Sequence, residues 1–275
     1  MNANDRFDFG ARSNDSQFAG LAEPPPWRPV EAAPRPAAVP RPAAVPAGEA
    51  LAFRVAIVET DADLQRVQAL REAAYGHHLP KLAAHFGQPD AVDRWPDVTI
   101  FFAEDKATRR VVGSARLQCN RHAPLQIEQS ITLPPHLSGR LLAEITRMSV
   151  LPGYAHPVKL ALVKATHLYC IAMQIGAIVC ASRPSLMRQY LNLGFEDLYG
   201  DERMVPMAHG SGLEHRVLFR DTVTSEAHHR ARRHPDYDFA FRTFHPDIAV
   251  FDAVARAPER LRQGLVERRR YSRAA

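Results

Sequence analysis

An α/β fold, with one mixed central sheet flanked by helices, is predicted for this 275-residue chain by three features of its sequence. β-rich runs and helically spaced apolar runs alternate from Phe53 onward. A charged connection joins two of the β-rich runs as a hairpin, which makes part of the sheet antiparallel. A long, largely buried helix then leads into a short buried strand.

The elements follow in order. Nine prolines lie between residues 24 and 46, and Arg-Pro-Ala-Ala-Val-Pro runs twice in tandem from Arg35 to Pro46. Prolines lack amide donors and the intervening alanines offer little apolar area, so residues 1–50 are expected to be a disordered Pro-rich tail and linker. Phe53 to Val58 alternates as a strand does, and Thr60 with Asp63 makes a capping-box-like helix start. Leu64, Val67, Leu70 and Ala74 follow at helical spacing, with Arg71 and Tyr75 towards the helix end. A polar and aromatic stretch with Asp90, Asp93 and Asp97 reads as a loop with short helical pieces. Val98 to Ala103 and Val111 to Gln118 are hairpin strands around Asp105, Lys106 and Arg109, and Ala143 to Val150 is a further strand ended by Leu151-Pro152-Gly153.

From Pro157, Ala161, Ala165, Leu168, Ala172 and Ile175 recur at helical intervals, and Gly176 is expected to stop that helix. Ala177 to Ala181 is a short buried strand, Pro184 and Ser185 open a helix carrying Tyr190, and Gly194 fits its C-terminal cap. Strand-like sequence returns at Phe195 to Tyr199 and at Arg216 to Phe219. An amphipathic segment over 246–266, with Ile248, Phe251, Val254, Leu261 and Leu265, is suited to pack across the sheet or against another subunit. The expected organisation is a tail over 1–50, a main domain over 51–222 and a basic C-terminal extension with an amphipathic helix over 223–275.

Composition narrows the function classes. Cys119, Cys170 and Cys180 lack the spacing of a zinc site or a disulfide framework, so no metal is expected and a reducing, cytoplasmic setting is the simplest reading. The acidic N-terminus has no signal-peptide apolar core, and no later run approaches the length of a membrane span. The formal charge of +5 gathers at Arg230, Arg232 and Arg233 and at Arg268, Arg269, Arg270 and Arg273. Such blocks attract nucleic acid, acidic lipid or an acidic carrier protein, or are simply solvated. The pairs His77-His78 and His228-His229 read as surface residues without metalloenzyme spacing, and Ser182 and Ser185 lack the Gly-x-Ser-x-Gly elbow.

Three motifs carry a family resemblance over residues 53 to 222. Val111-Val112-Gly113-Ser114-Ala115-Arg116-Leu117, Ala143-Glu144-Ile145-Thr146-Arg147-Met148-Ser149-Val150 and Tyr190-Leu191-Asn192-Leu193-Gly194-Phe195 resemble, in this order, segments of the GNAT (acyl-CoA N-acyltransferase) superfamily. The likeness is greatest to acyl-homoserine lactone (autoinducer) synthases and long-chain N-acyl amino acid synthases. Arg71 and Tyr75 match the Arg-x-x-x-aromatic pattern of that branch, and Asp90 and Asp93 fall where it places acidic residues. The chain departs from ordinary acetyltransferases at Leu151-Pro152-Gly153-Tyr154-Ala155-His156-Pro157, where a glycine-rich loop would cradle the coenzyme A pyrophosphate.

Acyl transfer to an amine needs a base, an oxyanion donor and a proton for the departing thiolate. Glu144 is the candidate base, provided burial raises its pKa. Glu144 and Arg147 face opposite sides of a regular strand unless a bulge intervenes. Arg147, Arg116 and Arg71 form a candidate positive cluster for the acidic loop, the acceptor carboxylate or both, with a purely structural ion network as the alternative.

The resemblance further implies an oxyanion amide just after a bulge in this strand, at Ser149 or Val150, and a thiolate-protonating Tyr190, with packing of the helix as the alternative for Tyr190. It implies substrate contacts at Arg71, Tyr75, Asp93, Arg116 and Val150. The implied activity is transfer of a long-chain fatty acyl group from acyl carrier protein to the α-amine of an amino acid. No cofactor would be bound permanently; an acyl-phosphopantetheine thioester, on carrier protein or coenzyme A, would be the donor, and nucleic acid is not an expected partner. The alternatives are an autoinducer synthase, an acyl-CoA dependent acyltransferase and a non-catalytic GNAT-like module recruiting partners through its Pro-rich arm.

Overall fold

The computed structural model describes residues 48–78, 87–252 and 255. The proline-rich repeat and the arginines from 268 on lie outside the described residues, as does most of the 246–266 segment. The chain runs β1 (Phe53–Ile57), α1 (Asp61–His78), β2 (Val98–Asp105), β3 (Val111–Cys119), β4 (Leu142–Val150), α2 (Ala155–Ala172), β5 (Ala177–Ser182), α3 (Met187–Asn192), β6 (Glu196–Asp197), β7 (Val205–Pro206), β8 (Glu214–Asp221) and α4 (Ser225–Ala231). Strand order is β1-β2-β3-β4-β5-β8-β6, with β7 on β8. Every pairing is antiparallel except β4 with β5, whose connection carries α2. This is the predicted mixed sheet flanked by helices.

Local chemistry sets the element ends. The Asp63 amide donates to Thr60 Oγ1 at 3.1 Å, and the Thr60 hydroxyl donates to Asp63 Oδ2 at 2.7 Å, which starts α1 as expected. In the β2–β3 hairpin Asp105 Oδ1 accepts from the amides of Ala107 and Thr108, while Arg109 takes the left-handed conformation at φ 60°. Gly176 does not stop α2. The helix ends at Ala172, Gln174 takes the left-handed turn at φ 58°, and Gly176 instead lies against Arg140, which donates to its carbonyl. Gly194 follows α3 at φ 81°, the predicted cap, and a Cβ there would stand 2.1 Å from the His229 ring.

Two faces of the sheet are covered differently. On one, α2 packs Val158, Leu162, Ala165 and Tyr169 over Phe101, Leu117, Ile145 and Ile178. Gly113 makes this close approach possible, because a Cβ there would meet Val158 Cγ1 at 2.4 Å. On the other, α1 lays Leu64, Val67 and Leu70 on Ile100 and Phe102, and Leu125, Ile127, Leu137 and Met207 cover Leu142, Val179 and Val217. Between these two apolar patches the surface of β3 and β4 carries buried polar side chains, Arg116, Gln118 and Glu144. Polar groups in such a place stand out because burial penalises them unless they are paired.

Residues beyond β8 wrap the sheet. Residues 247–249 run beside β1, with the Val55 amide donating to the Asp247 carbonyl and the Ala249 amide to the Val55 carbonyl. This covers the open edge of β1. Of the amphipathic set over 246–266, Ile248 is buried and Phe251 exposed, while Val254, Leu261 and Leu265 lie outside the described residues. His228 is exposed as expected, but His229 is buried, its Nδ1 bonded to the Ser225 carbonyl at 2.8 Å. No helix among the described residues is long and apolar enough to cross a membrane.

Candidate active site

The polar patch between the apolar clusters is built by a bulge in β4. Ser114 faces Ser149 and Arg116 faces Thr146, so Arg147 and Met148 stand opposite Ala115 alone. Arg147 takes φ 54°, a conformation that costs a non-glycine residue of order 1–3 kcal/mol and persists where surrounding contacts impose it. The bulge turns Arg147 to the side occupied by Arg116, with its Nη2 3.5 Å from Asp90 Oδ2. The regular-strand expectation of opposite faces therefore does not apply, and the bulge supplies the physical reason.

The acidic loop and the arginines meet here. Arg71 Nη1 donates to Asp93 Oδ2 at 2.5 Å. Arg116 donates from Nη1 to Asp90 Oδ2 at 2.7 Å and Asp93 Oδ1 at 3.2 Å, from Nη2 to Gln126 at 3.0 Å, and from Nε to Thr146 at 2.8 Å. Burial opposes ionisation of Asp90, but the Arg116 guanidinium, the Val92 amide and Arg147 hold its carboxyl below the usual range. Arg71 and Arg116 thus share Asp93, and Arg116 reaches Asp90 as well. Arg71 Nε and Nη2 are buried with no acceptor among the described residues.

Glu144 lies on the same face of β4, with no exposed surface. Its Oε2 accepts from the Ile127 amide at 2.9 Å, and its Oε1 stands 3.3 Å from His209 Nε2. Burial raises the Glu144 pKa to about 7, against the pull of the Ile127 amide and Arg116. The carboxyl is thus poised between its two protonation states near neutrality. Burial, with His215, Arg147 and Arg116 nearby, lowers the His209 pKa to about 4.

The strands part just beyond Glu144. β4 and β5 pair at Leu142↔Ala177, Ala143↔Ile178 and Glu144↔Val179, and among the described residues this ladder stops before Ile145. Ser149 and Val150 lie on that stretch, Ser149 with its hydroxyl donating to the Arg147 carbonyl at 3.2 Å. Tyr190 is on α3, edge-on to Phe195 at 5.6 Å. Burial, then Cys180 and Tyr75, pushes its phenol up, so it keeps its proton. Tyr75, one turn after Arg71 on α1, is within electrostatic range of both Tyr190 and Arg147.

The structure thus brings Arg71, Arg116 and Arg147 together on Asp90 and Asp93, sets Glu144 beside them within electrostatic range of Arg116, places Ser149 and Val150 on the stretch of β4 beyond its pairing with β5, and leaves Tyr75 within electrostatic range of Tyr190 and Arg147. Sequence reasoning missed His209, Gln126, Thr146 and the Ile127 amide. Only Thr146 lay inside a motif already singled out; His209 belongs to an irregular turn between β7 and β8 with no local pattern.

No family model matches the sequence, and no curated protein matches it. Among solved structures it is similar to FeeM, an N-acyl amino acid synthase from uncultured soil microbes, at 12% identity and TM-score 0.48, over 64% of this chain and 93% of that one. It is similar to BjaI, a CoA-dependent acyl-homoserine lactone synthase solved with SAM and isopentyl-CoA, at 18% identity and TM-score 0.44, over 75% and 99%. An acetyltransferase of the GNAT family from Staphylococcus aureus Mu50 follows at 14% identity and TM-score 0.41, over 61% and 99%. The strand order, the bulged β4 and the parting of β4 from β5 are features of this chain's own mixed sheet.

Proposed function

We propose that the protein is an N-acyltransferase that moves a long-chain fatty acyl group from the phosphopantetheine thioester of an acyl carrier protein to the α-amine of an amino acid. The observation that carries this reading is Glu144, a buried carboxyl held near a pKa of 7 at the place where β4 and β5 separate. A base of that strength takes a proton from an amine as it attacks a thioester carbonyl. The stretch of β4 beyond its ladder with β5, at Ser149 and Val150, supports an oxyanion donor from the backbone, and the protonated Tyr190 phenol supports protonation of the leaving thiolate.

The acceptor follows from charge. The Arg71 guanidinium, whose Nε and Nη2 meet no acceptor among the described residues, suits the carboxylate of an amino acid whose amine faces Glu144. Exposed Arg230, Arg232 and Arg233 at the end of α4 support docking of an acidic carrier, a role the arginines beyond residue 267 would extend.

The test is a mass-spectrometric assay of the full chain with long-chain acyl carrier protein and an amino-acid mixture, alongside acyl-CoA and S-adenosylmethionine. An N-acyl amino acid formed from the carrier is expected. A lactone from S-adenosylmethionine, or product from acyl-CoA alone, moves the assignment to an autoinducer synthase or a CoA-dependent acyltransferase. No product from any donor overturns the enzymatic reading in favour of a binding module.

A further inference from the structure

Acyl transfer to an α-amine at neutral pH releases one proton per turnover. An ammonium group and a thioester become an amide and a thiol: the C–N bond forms, the C–S bond breaks, one nitrogen proton stays on the amide, one goes to sulfur and one must reach solvent. On the acyl-transfer reading above, Glu144 receives that proton in a place with no exposed surface. Its Oε2 is held by the Ile127 amide, and its Oε1 is buried without a hydrogen-bond partner. Among the described residues, His209 is the one ionisable donor within 4 Å of that oxygen, with Nε2 at 3.3 Å.

We propose that His209 is the proton outlet of this site, taking the proton from Glu144 Oε1 onto Nε2 and passing it to water. Its position suits the task. The ring belongs to the turn Ala208–Gly210 between β7 and β8, its side chain is 15% exposed, and the flanking Ala208 and Ser211 are exposed, so it joins a sealed carboxyl to the surface. The groups that face it are Glu144 and Arg147 from β4, the Gln126 backbone, Arg116 from β3 and His215 from β8, and its Nδ1 is buried without a hydrogen-bond partner among the described residues, so Nε2 both takes and releases the proton. An imidazolium among them is short-lived and gives its proton up, as a relay requires. Transfer to His209 returns Glu144 to the carboxylate, and loss to water returns the ring to neutral, so charge balances over the cycle.

The experiment compares wild-type protein with His209→Gln and His209→Ala in the acyl-transfer assay. Gln keeps an N–H donor for Glu144 but cannot carry a proton, so His209→Gln is expected to lose about 10²-fold in kcat with KM unchanged, and added imidazole should restore part of the His209→Ala rate. Wild-type kcat in His209→Gln overturns the relay, and so does a slow His209→Ala variant that imidazole leaves slow. A measurement on the unaltered enzyme guards against misfolded variants. In mixtures of light and heavy water, single-turnover rates should fall along a curve from two protons in flight, and a straight line overturns the proposal. Wild-type protein that forms no amide from any donor overturns the functional reading itself, a result distinct from an active wild type indifferent to residue 209.

Discussion

Glu144 owes its chemistry to burial, and the same burial leaves a thermodynamic signature. A carboxyl whose folded pKa rises from 4.5 to about 7 binds more protons in the folded than in the unfolded state between those values. Stability from this group is therefore full below pH 4.5 and is lost as pH rises towards 7, by on the order of 3 kcal/mol. Glu144→Gln removes the ionisation and keeps the shape, so the variant should gain on wild type over that interval when chemical denaturation is followed from pH 4.5 to 7.5. In the acyl-transfer assay the same variant should lose about 10²–10⁴-fold in kcat. A variant as active as wild type removes Glu144 from the role of base, and a stability difference independent of pH means the carboxyl is not buried as described.

At the scale of elements, the packing of the sheet that carries the site depends on how closely α2 can lie on β3 and β4. The loop that leads out of β4 turns at Gly153, φ 89°, and α2 then descends onto the sheet with Val158 against Gly113. Glycine at 113 serves for space, since its backbone is ordinary strand and a Cβ would meet Val158 Cγ1 at 2.4 Å. Gly113→Ala should cost about 1–3 kcal/mol, the range for overpacking a filled core. Val158→Ala should recover part of that loss in the double variant, a coupling readable by urea denaturation. Additive losses would show that the contact is not the reason for glycine. The hairpin, the α1 start and the Gly194 cap were legible because each rests on a local pattern, namely Asp105 with its turn amides, Thr60 with Asp63, and a glycine at positive φ. The β4 bulge was implied only by the family resemblance, since a left-handed arginine follows from long-range contacts that leave no mark on the sequence around Arg147.

At the scale of the whole molecule, the part of the chain after β8 was the least legible, and the reason is physical. Its attachments combine single polar contacts between distant residues with a few buried apolar side chains, Ile248 and Val250 among them. Lys164, an apparently misplaced charge in the buried stripe of α2, is the main one: its Nζ donates to the carbonyls of Phe239 at 2.7 Å and Thr243 at 2.6 Å and lies 2.9 Å from His245 Nδ1. These bonds hold the π-helical turn Asp238–Arg242 and, through it, residues 247–249 against β1. Lys164→Met keeps the apolar stem but leaves two part-buried carbonyls and the buried His245 ring nitrogen without their donor, and stranding the buried nitrogen alone costs about 1–3 kcal/mol. The melting temperature should fall, and in hydrogen exchange the Ala249 amide, 2.9 Å from the Val55 carbonyl, should lose protection along with the β1 edge. Because Glu144 and Arg116 lie on the opposite face of the sheet from α2, acyl transfer at temperatures well below the melt should persist. A Lys164→Met protein with unchanged melting and Ala249 protection would mean that apolar contacts alone, Ile248 and Val250 foremost, hold the end of the chain to the sheet.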